Sequence, residues 1–268
     1  MTNLPPNSPL LRADNIAKSF GGIVALQNVS ISIARGAIYG LIGPNGAGKT
    51  TFFNVLTGLY ARDTGSIHFN GTLLGAHTPD AAVRAGIART FQNIRLFANL
   101  SVLENVMIGR HARTHAGVWS AMLRLPAQRR EEAAIEARAR ELLDFAGLAA
   151  HANTRAASLP YGLQRRLEIA RALATDPQLL ALDEPAAGMN ATETRDLAEL
   201  IRRIRDQGVT VLLIEHDMKF VMSLCERILV LDYGVQIAEG TPAEVRADPA
   251  VIAAYLGAPQ AHEHEAAA

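Results

Sequence analysis

Gly43-Pro44-Asn45-Gly46-Ala47-Gly48-Lys49-Thr50, followed at once by Thr51, fits the pattern G-x-x-x-x-G-K-[ST]. The apolar residues 37–42 before it have strand length, and residues 51–56 after it contain no helix breaker until Gly58. Strand, glycine turn and helix in that order are the setting in which this pattern cradles phosphate. Gly43, Gly46 and Gly48 lack a Cβ, so the backbone can turn its N–H groups onto phosphate oxygens. A helix opening near Gly48 adds unpaired N–H groups and the positive end of its dipole. Lys49 is a point charge suited to β- and γ-phosphates, and the Thr50 hydroxyl is suited to ligating Mg²⁺. The predicted ligand is a nucleoside triphosphate with magnesium, bound by residues 43–51.

Outward from the loop, strands and helices alternate. Residues 11–33 read as short strands with one buried face, ending at the Arg35-Gly36 turn. Phe20 lies before a glycine turn; its ring suits stacking on a purine or half-burial in a strand, and the residues alone leave both open. Residues 64–71 and 87–91 read as further strands, with Gln92 directly after the second. Then the period changes. Ser101-Val102-Leu103-Glu104 is a capping box, 127–145 is a charged amphipathic helix, and 93–157 read as a helical insertion. Trp119 with Val118, Met122 and Leu123 forms an apolar group in that insertion, suited to core or partner groove. Alternation resumes with the buried-strand run Leu179-Leu180-Ala181-Leu182 and a helix capped by Asn190 and Glu193, striped by Leu197, Leu200, Ile201 and Ile204. Strands at 209–214 and 227–231 follow, then two short helices and a polar tail carrying His262 and His264.

In a parallel sheet the ligand lies beyond the carboxyl ends of the strands, so reactive groups belong immediately after strands. Asp183 is placed to hold the Mg²⁺ shell, and Glu184 to polarise a water for in-line attack on the γ-phosphate. Gln92 can position that water or touch the metal, and His216 can contact the γ-phosphate. Each alone is an ordinary strand-end residue; together with the glycine loop they form a constellation.

Bulk composition is permissive. The chain has 268 residues, 49% of them apolar, which is enough for one large or composite core. Its 26 basic residues balance 26 acidic ones, without the clustered positive excess a nucleic-acid partner calls for. The cluster of Arg124, Arg129 and Arg130 runs into Glu131 and Glu132 and reads as a solvated helix face. A single cysteine, Cys225, excludes an internal disulfide, fits a reducing compartment and reads as a small core residue. The first nine residues lack a signal pattern and no apolar run reaches spanning length, so a cytoplasmic protein held at a membrane only by partners is expected.

The ordered set of the glycine loop, Gln92 in Thr90-Phe91-Gln92-Asn93, the segment Leu159-Pro160-Tyr161-Gly162-Leu163-Gln164-Arg165-Arg166-Leu167-Glu168-Ile169-Ala170-Arg171, Leu182-Asp183-Glu184-Pro185 and His216 resembles ABC-transporter ATP-binding subunits. In that family these are Walker A, Q-loop, signature, Walker B and switch histidine. The resemblance covers residues 10–257. It implies an α/β P-loop NTPase with a RecA-like parallel sheet core, an N-terminal antiparallel β part and an inserted α-helical subdomain at about 93–165. It implies one domain over 11–257; residues 1–10, rich in Pro and Asn, read as a disordered N-terminus and 258–268 as a flexible tail. The resemblance also implies that Phe20 is the adenine-stacking aromatic. Tyr161-Gly162, Ala186-Ala187-Gly188-Met189-Asn190, Ile214-Glu215-His216-Asp217-Met218-Lys219 and the ending Gly240-Thr241-Pro242 through Tyr255-Leu256-Gly257 are similar to the subunits of branched-chain and hydrophobic amino acid importers.

The resemblance further implies ATP, with Mg²⁺ held by Thr50, Gln92 and Asp183, bound between Walker A of one subunit and residues 159–164 of another, a homodimer or heterodimer. It implies catalytic roles for Glu184, His216 and Gln92, permease subunits spanning the membrane, a periplasmic substrate-binding protein acting indirectly, and a place on the cytoplasmic membrane face. The common signature is L-S-G-G-Q; here Pro160 replaces the serine, Tyr161 the first glycine and Leu163 the glutamine. A hydroxyl contact to the facing γ-phosphate is lost, leaving Gly162 and the helix N–H groups as an anion site. Asn190 stands where many relatives carry Asp. Urea, amides and exported lipopolysaccharide remain alternative cargoes.

Overall fold

The computed structural model describes residues 8–75, 78–111 and 126–256. The group around Trp119, Arg124 and the histidines of the tail lie outside the described residues. Strands β1 (Leu11–Phe20), β2 (Ile23–Ile33) and β3 (Ile38–Ile42) lead into α1 (Lys49–Leu56). Then come β4 (Thr64–Phe69), β5 (Thr72–Leu74), α2 (Pro79–Ala85) and β6 (Ile87–Arg89). Helices α3 (Val102–His111), α4 (Pro126–Phe145) and α5 (Tyr161–Leu173) separate β6 from β7 (Leu179–Asp183). The remainder is α6 (Ala191–Asp206), β8 (Thr210–Ile214), α7 (Met218–Leu224), β9 (Arg227–Asp232), β10 (Val235–Gly240), α8 (Pro242–Ala247) and α9 (Pro249–Leu256).

Two sheets form: an antiparallel one in the order β2-β1-β4-β5, and a second in the order β10-β9-β3-β8-β7-β6. In the second, β9, β3, β8, β7 and β6 are parallel and β10 runs antiparallel along the edge of β9. The central strands are buried on both faces and divide their residues alternately between two cores. Ile38, Ile42, Leu180, Leu182, Val211, Leu213, Ile228 and Val230 face the helices α5, α6 and α7. Tyr39, Leu41, Leu179, Ala181, Leu212, Ile214, Leu229 and Leu231 face α1 and the antiparallel sheet. The register sets Leu41, Ile214 and Asp183 in one row, so β3, β8 and β7 end together. That shared edge carries the expected site.

Helix α6 starts where expected: Asn190 accepts N–H bonds from Thr192 and Glu193 while Glu193 reaches back to the Asn190 N–H, a closed capping box worth about 1 kcal/mol. The same device, Ser101 with Glu104, opens α3. Other expectations change. Leu10, placed with the disordered N-terminus, is 1% exposed and exchanges backbone bonds with Ile33 and Asn70, because it extends β1 into the sheet core. The expected subdomain boundary near 165 falls inside α5, which continues unbroken to Leu173 and buries Leu167, Ile169 and Ala170 in the helix-side core. Strand β10 was not expected: as an edge strand it is half-exposed along most of its length and lacks the continuous apolar run of its neighbours. Cys225 is buried as anticipated, and desolvation pushes its thiol up to about 12, so it is inert.

Candidate nucleotide site

The glycine loop is built for close backbone approach. A Cβ on Gly43 (φ +151) would stand 2.0 Å from the Leu231 carbonyl oxygen, and one on Gly48 (φ +94) would stand 2.7 Å from that of Ala25. Both positions therefore exclude any side chain. Gly48 is also the N-cap of α1, so the turn delivers the helix N-terminus to the loop. Lys49, 8% exposed, donates to the carbonyls of Gly43 (2.7 Å) and Pro44 (2.8 Å) and so braces the loop. Burial lowers its pKa from the ordinary lysine value, with the Glu184 charge opposing. The Gly234 N–H donates to Ala47 O at 3.0 Å and ties the loop to the turn after β9. Burial raises the pKa of the Tyr255 hydroxyl, partly offset by a hydrogen bond from the Gly43 N–H.

Beside the loop is a cavity of about 390 Å³, lined by Ile23, Val24, Ala25, residues 46–51, Tyr233 and Gly234. Phe20 does not line it. Phe20 pairs with Ile23 across the β1–β2 hairpin, meets Tyr60 edge-on at 5.2 Å and remains 43% exposed. Tyr233, 88% exposed at φ +44, lines the cavity and was not singled out by sequence. If Phe20 is the base platform, Phe20→Ala should raise the KM for nucleotide about tenfold while Phe20→Tyr leaves it within about twofold, since a base–aromatic stack is worth 1–3 kcal/mol. An unchanged KM in Phe20→Ala would assign the base to the Ile23–Tyr233 side.

The strand-end residues converge. Glu184 follows β7 with φ +45, a left-handed conformation rare for a non-glycine residue, and its N–H donates to Ile214 O at 2.9 Å. The Gln92 side-chain amide donates to Glu184 Oε2 at 3.0 Å, and His216 Nδ1 lies 3.8 Å from the same oxygen. Asp183, 4% exposed, ends β7. Desolvation raises its pKa and the guanidinium of Arg89, 3.5 Å away, opposes that rise. The three strands thus present a partly exposed carboxylate, a neighbouring buried carboxylate and a loop of N–H donors, the parts that in-line attack on a phosphoryl group needs.

Residues 159–164 open α5. Leu159 is buried, and its carbonyl accepts from the Gln164 side chain at 2.8 Å. Pro160 is the N-cap and offers no side-chain bond. Gly162 is buried against Glu193, whose Oε1 lies 2.8 Å from where a Cβ would stand, while Leu163 is half-buried. Tyr161, where the common pattern has glycine, is 45% exposed.

Sequence reading assigned no role to Arg89, Glu215, Arg165 or Glu168. Arg89 donates to Asn54 Oδ1 and Thr57 Oγ1, both at 2.8 Å, and stacks between Phe53 and Phe91. Glu215, 1% exposed, accepts N–H bonds from Ala186 (2.8 Å) and His216 (3.2 Å), joining the segment after β7 to the segment after β8; burial raises its pKa and those bonds oppose. A charged residue on an otherwise apolar stripe was the available signal: Arg165 and Glu168 fall on the buried face of α5 with Gly162, Ile169 and Ala172.

A family profile described as ABC transporter matches residues 26–187, and one described as branched-chain amino acid ATP-binding cassette transporter matches residues 235–261. The chain is 46% identical over 252 residues, 94% of its length and 99% of the relative's, to the high-affinity branched-chain amino acid transport ATP-binding protein LivG of Salmonella typhimurium. It is 43% identical over 250 residues, 93% of its length and 98% of the relative's, to BraF of Pseudomonas aeruginosa, which carries the same description. It is 36% identical over 247 residues, 92% of its length and 97% of the relative's, to the lipopolysaccharide export system ATP-binding protein LptB of Escherichia coli. Among solved structures, a nucleotide-free ATP-binding cassette from an ABC transporter superposes with a TM-score of 0.81 at 33% identity, over 93% of this chain and 99% of that one. A dimeric post-hydrolysis state of an ATP-binding cassette bound to ADP and Pi gives 0.73 at 26% identity, over 87% and 98%.

Proposed function

Because the chain belongs to the ABC transporter ATP-binding family, we propose that it is the ATP-hydrolysing subunit that powers import of branched-chain and other hydrophobic amino acids. The observation that carries the ATPase reading is the convergence of Gln92 and His216 on one oxygen of Glu184, on the sheet edge that also bears the glycine loop. The match of residues 235–261 to the branched-chain amino acid family favours that cargo.

ATP lies with its phosphates in the loop 43–51, braced by Lys49, and its base near the β1–β2 hairpin. Asp183 and Thr50 supply oxygen donors of the kind a hard divalent cation takes, a carboxylate at the end of β7 and an exposed hydroxyl beside the phosphate loop. Held there, Mg²⁺ would supply positive charge to neutralise the phosphates. Glu184 takes the proton of the water whose oxygen bonds to the γ-phosphorus as the bond to the departing ADP oxygen breaks, Gln92 and His216 fix its carboxylate, and residues 159–164 of a second ATP-binding subunit close the other side. The post-hydrolysis dimer among the similar structures supports such pairing.

Among the described residues no helix is long and apolar enough to cross a membrane, so membrane-spanning permeases are assigned to other chains. A groove of about 420 Å³ between the nucleotide sheet and the helical part, walled by Leu59, Val83, Phe91, Phe97 and Ile108, includes the residue that precedes Gln92 and is the surface we assign to them on the cytoplasmic face. A periplasmic binding protein acts through the permeases.

The test is reconstitution with the permeases and leucine-binding protein of a branched-chain amino acid importer from the same cells. Leucine-loaded binding protein should raise ATP hydrolysis severalfold over the unloaded form. Stimulation by lipopolysaccharide instead, without a response to leucine, would move the cargo to the export class that the LptB likeness represents.

A further inference from the structure

Arg165 is wholly buried and spends its guanidinium on the loop after β6. Its Nη1 donates to the Phe91 carbonyl at 2.7 Å and its Nη2 to the Gln92 carbonyl at 2.8 Å. Nη1 also pairs with Glu168 Oε2 at 2.8 Å. The other Glu168 oxygen accepts the backbone N–H groups of Phe91 (3.2 Å) and Arg95 (3.4 Å). One turn of α5 therefore grips both the carbonyls and the N–H groups of a loop whose Gln92 and Asn93 are exposed. Burying two charges is a poor way to fill a core, which apolar residues of similar size do as well; the pair matches the loop backbone in detail instead. The clamp also has an outer arm, since Arg165 Nη2 donates to the Tyr161 hydroxyl at 3.3 Å. Tyr161 stands half-exposed at the start of α5, where the common signature has a glycine without any side chain.

We propose that Tyr161, Arg165 and Glu168 are positioning residues linking the signature segment to Glu184, through the clamped loop and the Gln92 amide, so that nucleotide facing one end of α5 sets the geometry of hydrolysis in the chain's own site. The inference rests on the reading that ATP is enclosed between the glycine loop of one subunit and residues 159–164 of another. A chain then serves two sites: its signature segment touches the partner's nucleotide, and its Glu184 serves its own. With both faces of the loop held by α5, a shift of the helix is a shift of Gln92. In this chain the tyrosine that displaces the glycine extends that link outward by one side chain. Coupling between the two sites makes ATP bound at one change the response at the other, which reads out as a sigmoidal ATP dependence of hydrolysis.

The experiment compares wild type, Arg165→Lys, Tyr161→Phe and, as a control on the same helix, Arg166→Lys, in the purified transporter. Arg165→Lys keeps the charge but loses the fork. It should lower kcat about tenfold, the worth of one lost charge-assisted bond, and bring the Hill coefficient for ATP from near two towards one. ADP binding should stay close to wild type, while the melting temperature falls by several degrees because buried acceptors lose a donor. Tyr161→Phe, which removes only a hydroxyl from a half-exposed residue, should lower the Hill coefficient with a smaller loss in kcat. Arg166→Lys should change neither. Unchanged hydrolysis and cooperativity in Arg165→Lys overturn the proposal. So does loss of kcat in step with ADP binding, which marks a structural pair only, and so does a wild type without cooperativity. If wild type and Lys49→Ala hydrolyse ATP alike, the ATPase reading itself has failed, and the proposal falls with it.

Discussion

Glu184→Gln is expected to lower ATP turnover about a thousandfold while leaving ATP binding intact, the middle of the range for loss of a positioned general base. The substitution is nearly isosteric. The Gln92 amide at 3.0 Å can still donate to the new carbonyl oxygen, and the bond from the backbone N–H to Ile214 does not involve the side chain. Glu184 already holds a left-handed conformation that costs about 1–2 kcal/mol for a residue with a Cβ. The same backbone conformation serves glutamine, so the loss is confined to proton abstraction. Phosphate release measured in a single turnover, with filter binding of ATP on the same preparation, separates the two. A variant that hydrolyses at the wild-type rate would remove Glu184 from the role assigned to it.

Lys49→Ala is expected to weaken ATP binding about a hundredfold, the loss of one strong charge-assisted phosphate contact, about 3 kcal/mol at most. The lysine does two things at once. Its ammonium braces the loop through the carbonyls of Gly43 and Pro44, and burial leaves it less hydrated than a surface lysine and so readier to exchange those partners for phosphate. Alanine removes both, while Gly43 stays pinned against the Leu231 carbonyl, so the fold should persist. Calorimetric titration with Mg-ATP in the Glu184→Gln background reads the affinity without turnover. An affinity within threefold of the parent would show that the loop backbone alone carries the phosphates.

The parts of the fold that were legible are those where local pattern and burial agree. The run from Leu179 to Leu182 is apolar at every position because β7 is covered on both faces, and the loop 43–50 carries its own geometric demands at Gly43 and Gly48. Asn190 and Glu193 announce α6 because a capping box is local chemistry. What was hidden is either weakly patterned or depends on partners distant in sequence. β10 is a half-exposed edge strand without a continuous apolar run, and the bond between Gln92 and Glu184 spans 92 residues. Arg165 and Glu168 were visible as letters of a motif, but their grip on residues 91–95 needs the packing of α5 beneath the end of β6. The wall of the cavity beside the glycine loop is another such case. Phe20 was the residue chosen from sequence, whereas Ile23, Val24 and Tyr233 form the wall, because the hairpin and the turn after β9 meet there.

The measurement that tests the central claim most directly is uptake of radiolabelled leucine by cells that lack this chain and any redundant importer, complemented with wild type or with Lys49→Ala. The account predicts that wild type restores uptake and that Lys49→Ala, expressed to the same level, does not. Uptake that is unaffected by loss of the chain, or restored equally by both forms, would contradict it.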